Sequence, residues 1–215
     1  MLDASVATGV QRFVNISTDK AADPCSVVRY SKRIAEQLVA YRAQHSPMTC
    51  LSVRFGNVLG SRGSVLASFQ AQIGRGGPVT VTHPQVSRYF MTVEEAVELV
   101  IQVGAIGRPG EVLVLDMGEP VRIAEVARLL SQRAPRPVTF EYTGLRPGEK
   151  LHEVLLGAGE ADHRPIHPRI SHVSVPPLDP SLVVRIDASA TGSELVLSLR
   201  QLCEVSGAVQ PRLTF

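Results

Sequence analysis

The sequence predicts an α/β fold built on a parallel, doubly wound sheet. Three observations lead there. The chain opens in an α–β–α–β order. Its first strand-like run, Arg12–Ser17, is β-prone and ends in polar residues, as a buried parallel strand does when its C-terminal tip carries a site. A well-signalled helix at Thr92–Val103 is followed by the apolar run Glu111–Asp116, which repeats the alternation.

Each element has its own signal. Leu2–Gly9 reads as the end of a helix closed by Gly9. Ser26 is placed to cap a helix running to about Gln44, with Ile34, Leu38, Ala40 and Tyr41 near helical spacing. Thr49–Phe55 is a second strand. Gly56–Gly63 is glycine-rich, Val65–Ile73 is helical, and Gly74–Pro78 breaks it. Val79–Thr82 alternates as a short strand. Thr92 caps a helix with acids in its first turn. Val121–Ser131 is amphipathic, Pro137–Tyr142 is strand-like, and Leu145–Lys150 is a loop before a helical Leu151–Leu156. Beyond about Asp162 the chain is rich in Pro and His and reads as irregular, up to a last helix at Ser193–Cys203.

Composition narrows the function classes. The chain has 215 residues, 44% hydrophobic and 20% charged, enough for a real core without staples. A net charge of +2 is too small to argue for nucleic acid. No run approaches the roughly 18 apolar residues of a membrane span, and the first residues lack a signal peptide's basic and apolar regions. A soluble, cytoplasmic chain is expected. Cys25, Cys50 and Cys203 have no metal-ligand spacing and read as buried or half-buried thiols in a reduced compartment. His163 and His167 are four apart, but Pro165 and Pro168 argue against a helix that would aim them at one metal. No metal is expected.

Three polar clusters could carry chemistry. Ser17-Thr18-Asp19-Lys20 lies at a strand tip, where ligands sit in open parallel sheets. An acid beside an amine there could divide general-acid and general-base roles; the plain alternative is a polar loop with one weak ion pair. Lys32 opens the following helix and by itself reads as a solvated face residue. In Arg146-Pro147-Gly148-Glu149-Lys150, the Arg suits a phosphate and the Glu can accept from ribose hydroxyls; the alternative is a capped turn. Asn57 and Arg88 follow strands and could line the same cleft.

The ordered motifs FVNISTDKAADP…SKR, SVRFGNVLGSRGSVLASF, GGPVTVTHPQVSRYFMTVEEAVELV and GLRPGEKLHEVLL, from about Gly9 to about Ile170, carry a resemblance. The chain resembles CapD-like polysaccharide biosynthesis proteins, a branch of the extended short-chain dehydrogenases that includes nucleoside-diphosphate-sugar 4,6-dehydratases and epimerases. The resemblance implies a Rossmann-like fold with a sugar-nucleotide-binding subdomain, an NAD(P) cofactor and a UDP-sugar substrate of the UDP-N-acetylglucosamine type. It implies that Thr18, Asp19 and Lys20 sit by the sugar, with Asp19 the acid for a departing C6 hydroxyl and Lys20 a base. Lys32 matches the catalytic lysine that binds the nicotinamide ribose and tunes the active site. Asn57, Arg88, Arg146 and Glu149 match positions that contact the nucleotide or its phosphates.

Two departures shape the expectation. The family's Tyr-x-x-x-Lys pair is absent, because Val28 stands four residues before Lys32. Tyr30 lies about 200° around the helix from Lys32 and does not substitute. Inverting dehydratases of this branch also lack that tyrosine, which turns the expected chemistry toward dehydration. The larger departure is that no G-x-G-x-x-G follows an initial strand. The first βαβαβ half, roughly 60 residues or more, is absent from this sequence. The expected division is 1–56 as the remnant of the Rossmann-like domain, 57–170 as a mixed substrate-binding region, and 171–215 as a variable tail. A chain truncated relative to its family, inactive alone and not expected to grip NAD(P) unaided, is the leading reading. Alternatives are a non-catalytic sugar-nucleotide-binding or assembly subunit, as a homo-oligomer or docked on a full-length relative, and a decayed remnant that folds poorly.

Overall fold

A computed structural model describes residues 1–61, 63–187 and 189–208. Arg62 of the glycine-rich stretch, Ala188 and the tail from 209 lie outside the described residues. In chain order the elements are α1 (Leu2–Ala7), β1 (Arg12–Ile16), α2 (Val27–Gln44), β2 (Thr49–Arg54), β3 (Asn57–Val58), α3 (Val65–Gly74), β4 (Val79–Val81), β5 (Ser87–Arg88), β6 (Phe90–Met91), α4 (Val93–Ile106), β7 (Glu111–Leu115), β8 (Val121–Arg122), α5 (Ile123–Ser131), β9 (Phe140–Tyr142), β10 (Ile170–Ser174), α6 (Pro180–Val183) and α7 (Gly192–Ala208). A 3-10 turn at Asp19–Ala21 links β1 to α2. The chain divides into two compact units. The first comprises Met1–Arg54, Leu99–Asp116 and the chain from Val154 on; the second comprises Phe55–Glu98 and Met117–Glu153.

The first unit is built on a four-stranded sheet in the order β1-β2-β7-β10. β1, β2 and β7 run parallel, with Val14 opposite Leu51 and Val53 opposite Leu113. β2 is central, and from Cys50 to Arg54 it is fully buried, which is why it reads as a near-continuous apolar run. α1 and α2 cover one side of it, where Val39, Met48 and Cys50 pack with Leu2, Val6 and Phe13. Gly107, just after α4, makes a close approach: a Cβ there would meet the Val103 carbonyl at 2.8 Å and Leu51 and Leu113 Cδ1 at 3.0 and 3.1 Å. The α4 cap is built as its sequence implies. Thr92 Oγ1 accepts from the Glu95 amide (3.1 Å), and Glu95 Oε2 accepts from the Thr92 amide (2.7 Å), a reciprocal capping box.

The structure corrects the reading of the chain beyond Lys150 in two places. Leu151–Leu156 is not helical; it runs extended and bent, with His152 bridged to Ser87. The apolar spacing there serves packing against strands: Leu155 and Leu156 lie on Val112, Val114, Val173 and Val175. Nor is the stretch after Asp162 wholly irregular. Ile170–Ser174 is β10, antiparallel to β7, with Ile170 opposite Leu115 and Ser174 opposite Glu111. α7 packs on α2, closing Leu199 over Tyr30, Ile34 and Leu178. Cys25 is exposed rather than buried, while Cys50 is buried and Cys203 half-buried. Burial pushes the Cys203 thiol up to about 11.

The second unit has three two-stranded pairings, β3-β6, β4-β9 and β5-β8. Its core gathers Phe69, Val79, Val81, Val86, Ile123, Ala124 and Ala127. α5 starts at Ile123 rather than Val121, because Val121 and Arg122 pair with Arg88 and Ser87 as β8. Gly56 is needed for contact: a Cβ would fall 2.8 Å from Tyr89 Cβ and 2.9 Å from the Tyr89 carbonyl.

The charge inside β2 organises the first unit. Arg54 is fully buried. Its Nε donates to Glu36 Oε1 (3.1 Å) and its Nη2 to Glu36 Oε2 (2.7 Å) and Glu160 Oε1 (3.3 Å). Its Nη1 donates to Glu160 Oε2 (2.7 Å) and the Leu155 carbonyl (3.0 Å). Arg33 adds a second cation, donating to Glu160 Oε1 at 2.6 Å and Glu36 Oε2 at 3.3 Å. Two cations therefore face two anions, and every N–H of Arg54 has an acceptor. Burial works to lower the Arg54 pKa, but the Glu36 and Glu160 carboxylates outweigh it and raise it. Burial opposes ionisation of Glu160 as well, yet Arg54, Arg33 and the Gly157 amide hold its carboxyl down at about 2, against an ordinary value of 4.5.

Because the folded value of Glu160 is depressed, its contribution is complete above that ordinary value and is lost as the pH falls toward the folded one. It is worth on the order of 3 kcal/mol at neutral pH. Urea unfolding from neutral pH down to about pH 3 should show this acid loss in the native chain and a flatter profile in Glu160→Gln. Arg54→Met, which leaves Glu36 and Glu160 to share Arg33, should lose about 3–5 kcal/mol. Equal acid profiles for the native chain and Glu160→Gln would contradict the assignment.

Candidate active site

The first polar cluster forms where β1 ends. The Ser17 amide donates to the Val53 carbonyl (2.8 Å), carrying the ladder one residue past Ile16. The Ser17 hydroxyl donates to Glu36 Oε1 at 2.6 Å, so the exit of the strand is tied to the Arg54 cluster. Thr18 is extended and caps the 3-10 turn, its Oγ1 accepting from the Lys20 amide at 3.5 Å. That turn folds Asp19 inward and places Lys20 beside it. Thr18 Oγ1 donates to Asp19 Oδ1 (2.8 Å), and Lys20 Nζ donates to the same oxygen (3.0 Å).

Asp19 is wholly buried, while the Lys20 side chain is about a third exposed. Asp19 Oδ2 is also buried and has no hydrogen-bond partner among the described residues. One carboxyl oxygen is thus held by a hydroxyl and an ammonium, and the other is unbonded. A buried acceptor left this way costs about 1–3 kcal/mol, a cost more characteristic of sites than of cores. The arrangement places a carboxyl group and an amino group side by side.

Lys32 is exposed on α2, and Val28, one turn before it, is 62% exposed on the same face. Tyr30 points elsewhere, at 7% exposure among Ile34, Leu178 and Leu199. Tyr30 and Lys32 therefore lie on different faces of α2.

The second cluster lies in the second unit. Arg146–Glu149 is a turn closed by the Glu149 amide donating to the Arg146 carbonyl (2.9 Å), with Pro147 and then Gly148 at φ 75°. Pro followed by a positive-φ Gly is the type II signature. The turn brings Glu149 Oε2 back to the Arg146 amide (3.2 Å) and Glu149 Oε1 to Thr82 Oγ1 (3.1 Å) and Arg88 Nη2 (3.1 Å). Arg88 is further held by the Ser87 and Leu151 carbonyls at 2.8 and 3.2 Å and by Glu153 at 3.7 Å. Ser87 Oγ meets His152 Nδ1 at 2.8 Å. The structure therefore brings Arg88, Arg146 and Glu149 together. The Arg146 side chain is exposed. Asn57 opens β3, which pairs with β6, and its amide donates to the Tyr89 carbonyl (2.9 Å).

Sequence reasoning passes over Ser17's partner Glu36, the Arg54 and Glu160 behind it, the Glu153 that faces Arg88 and the His152 that meets Ser87. One signal was available. An arginine inside the apolar strand TCLSVRF requires anions from elsewhere. Among the described residues no group of three His, Cys, Asp or Glu could hold a metal, and no helix is long and apolar enough to cross a membrane.

A nicotinamide dinucleotide needs a glycine turn between a strand and a helix to cradle its pyrophosphate. Neither glycine-rich stretch among the described residues supplies one. Gly56–Gly63 follows β2 but leads first into β3, and Gly74–Gly77 ends α3. The residues present do not fit the pyrophosphate.

With this geometry in hand, the chain can be set beside known proteins. The family model described as "Polysaccharide biosynthesis protein" matches residues 1–175. A probable polysaccharide biosynthesis protein, EpsC of Bacillus subtilis (strain 168), is 48% identical over 171 residues, covering 78% of this chain and 29% of that protein. Pen from Bacillus thuringiensis superposes with a TM-score of 0.73 at 30% identity, covering 81% of this chain and 55% of that one. UDP-glucose 4-epimerase of Thermus thermophilus, solved with NAD, shares the fold at a TM-score of 0.61 and 22% identity, over 73% of this chain and 59% of that one.

Gly148→Ala tests the turn that gathers the second cluster. A Cβ at this φ should cost about 1 kcal/mol in urea unfolding. An unchanged midpoint would contradict the type II geometry.

Proposed function

The chain belongs to the polysaccharide biosynthesis protein family, and from that premise we propose that it binds a UDP-sugar of the UDP-N-acetylglucosamine type and carries the substrate-facing groups of a 4,6-dehydratase or epimerase. The chain spans 29% of the length of EpsC, so the activity of a whole relative is not assumed for it. The observation that carries the reading is Asp19: wholly buried at the tip of a parallel strand, bonded on one oxygen by Thr18 and Lys20, and unbonded on the other.

In this reading a proton first passes from the Lys20 ammonium to the Asp19 carboxylate, across the 3.0 Å bond between them; Asp19 then gives it to the hydroxyl leaving C6, and the neutral Lys20 amine takes the proton from C5. Thr18 fixes the carboxyl so that its unbonded oxygen faces the reacting group. Lys32 serves the nicotinamide ribose in a complete assembly. Val28 in place of the family tyrosine favours dehydration over a tyrosine-dependent epimerisation. Arg146 takes a phosphate, Glu149 accepts from the ribose, and Asn57 borders the nucleotide. Arg88 adds positive charge and keeps Glu149 in place. Since the pyrophosphate of a dinucleotide finds no cradle here, no step is derived through it, and the chain alone does not turn over.

A second reading, an assembly subunit, is favoured by one feature. Val93, Val97 and Ile101 recur at four-residue spacing on α4 and are 50%, 52% and 67% exposed. Light scattering tests its self-associating form: a monomer at micromolar concentration disfavours a homo-oligomeric assembly role.

Calorimetric titration with UDP-N-acetylglucosamine should give saturable binding, weakened about tenfold or more by Arg146→Ala, since an arginine–phosphate pair is charge-assisted. With NAD added, no 4-keto sugar should form. Absence of binding would end the substrate proposal; turnover would end the claim that the chain is inactive alone.

A further inference from the structure

One non-glycine among the described residues has a positive φ: Asp23, at 45°. An L-residue there costs about 1–2 kcal/mol relative to the right-handed region, and Asp and Asn bear it best. Asp23 is an exposed loop residue, so no core packing forces it into this shape. Its side chain does have a fixed contact. Oδ1 accepts from the Ala158 amide at 2.7 Å. The opposing turn is pressed against it: a Cβ on Gly157 would lie 3.0 Å from Asp23 Oδ1 and 3.3 Å from the Asp23 amide.

That turn, Gly157–Glu160, is rigid on its own account. The Glu160 amide donates to the Gly157 carbonyl (3.0 Å), and the Gly157 amide donates to Glu160 Oε2 (2.7 Å). Glu160 is in turn bound by Arg54 and Arg33. Arg54 binds Glu36, and Glu36 accepts from the Ser17 hydroxyl. The same turn therefore holds both ends of one loop. It reaches Ser17 through Glu160, Arg54 and Glu36, and it reaches Asp23 through the Ala158 amide. Thr18–Ala22 lie between these two attachments in the chain.

We infer that Asp23 is a positioning residue, which fastens the loop bearing Thr18, Asp19 and Lys20 to the Gly157–Glu160 turn and so fixes where the Asp19 carboxyl and Lys20 ammonium lie. The chemical meaning of that placement rests on the function proposed above; the fastening itself does not. Left-handed backbone at Asp23 is the strain that the Ala158 bond offsets. Neither loop can shift without breaking that bond or moving the buried ion cluster.

Three variants separate fastening from simple stabilisation. Asp23→Gly accepts the backbone conformation without strain but has no acceptor. Asp23→Asn tolerates the conformation and keeps one accepting oxygen. Asp23→Ala loses the acceptor and keeps the strain. The readout is amide hydrogen exchange on the full chain without ligand, at Ala21 and Ala22, whose amides donate to the Thr18 and Asp19 carbonyls at 3.0 and 3.1 Å. Exchange at these two should quicken about tenfold or more in Asp23→Gly and Asp23→Ala and stay near the native rate in Asp23→Asn, with β2 and β7 amides unchanged. Native rates in Asp23→Gly, rates in Asp23→Asn as fast as in Asp23→Gly, or equal acceleration throughout the sheet would each overturn the inference. Because no sugar nucleotide is present, these outcomes are independent of whether the substrate proposal stands.

Discussion

A guanidinium inside a buried parallel strand must be met by anions from other parts of the chain, and Arg54 is met by two. Glu36 comes from the helix that follows β1, and Glu160 from a turn more than a hundred residues further on. Such a cluster is a demanding way to hold a fold together. Its Coulombic gain is offset by the desolvation of four charged groups, and an apolar substitute of the same volume is often no less stable. What it supplies is position. Its side chains come from α2, β2 and the Gly157–Glu160 turn, so the bonds among them tie these elements together.

The position so fixed is that of the strand tip. Ser17 leaves β1 bonded to Glu36, and within the next three residues the chain turns Asp19 into the interior with Lys20 at its side. The second unit repeats the logic with less burial. Arg88 is braced by two carbonyls and by Glu149 and Glu153, and the Pro147-Gly148 turn presents Arg146 to solvent. In both units a buried or half-buried cation is held by several internal partners.

How much of this the sequence shows depends on how local the determinant is. The α4 cap was legible because Thr92 and Glu95 satisfy each other across one turn. Thr18, Asp19 and Lys20 were legible because they are adjacent, and Arg146 to Glu149 because Pro-Gly dictates its own turn. β10 was not legible: its five residues stand among prolines and histidines, and the partner that makes them a strand is β7, some sixty residues earlier. Leu151–Leu156 misled because its apolar spacing suits a helix as well as a strap across strands, and only the distant Val112, Val114 and Val173 decide between them. The Arg54 cluster lay beyond reach for the same reason. Its charges are ordinary one by one, and their pairing exists only after the sheet has formed.

If the buried cluster sets the strand tip, cutting the hydroxyl link between them loosens the tip and spares the sheet. Ser17→Ala makes that cut, since it removes the hydroxyl bonded to Glu36 and leaves Arg54 with all its acceptors. Amide hydrogen exchange of this variant beside the native chain is the most direct measurement. Exchange at Ala21 and Ala22 should quicken roughly fivefold or more while the β2 and β7 amides keep their native rates. Native rates at Ala21 and Ala22, or acceleration spread evenly over the sheet, would contradict the claim that the Arg54 cluster holds this tip in place.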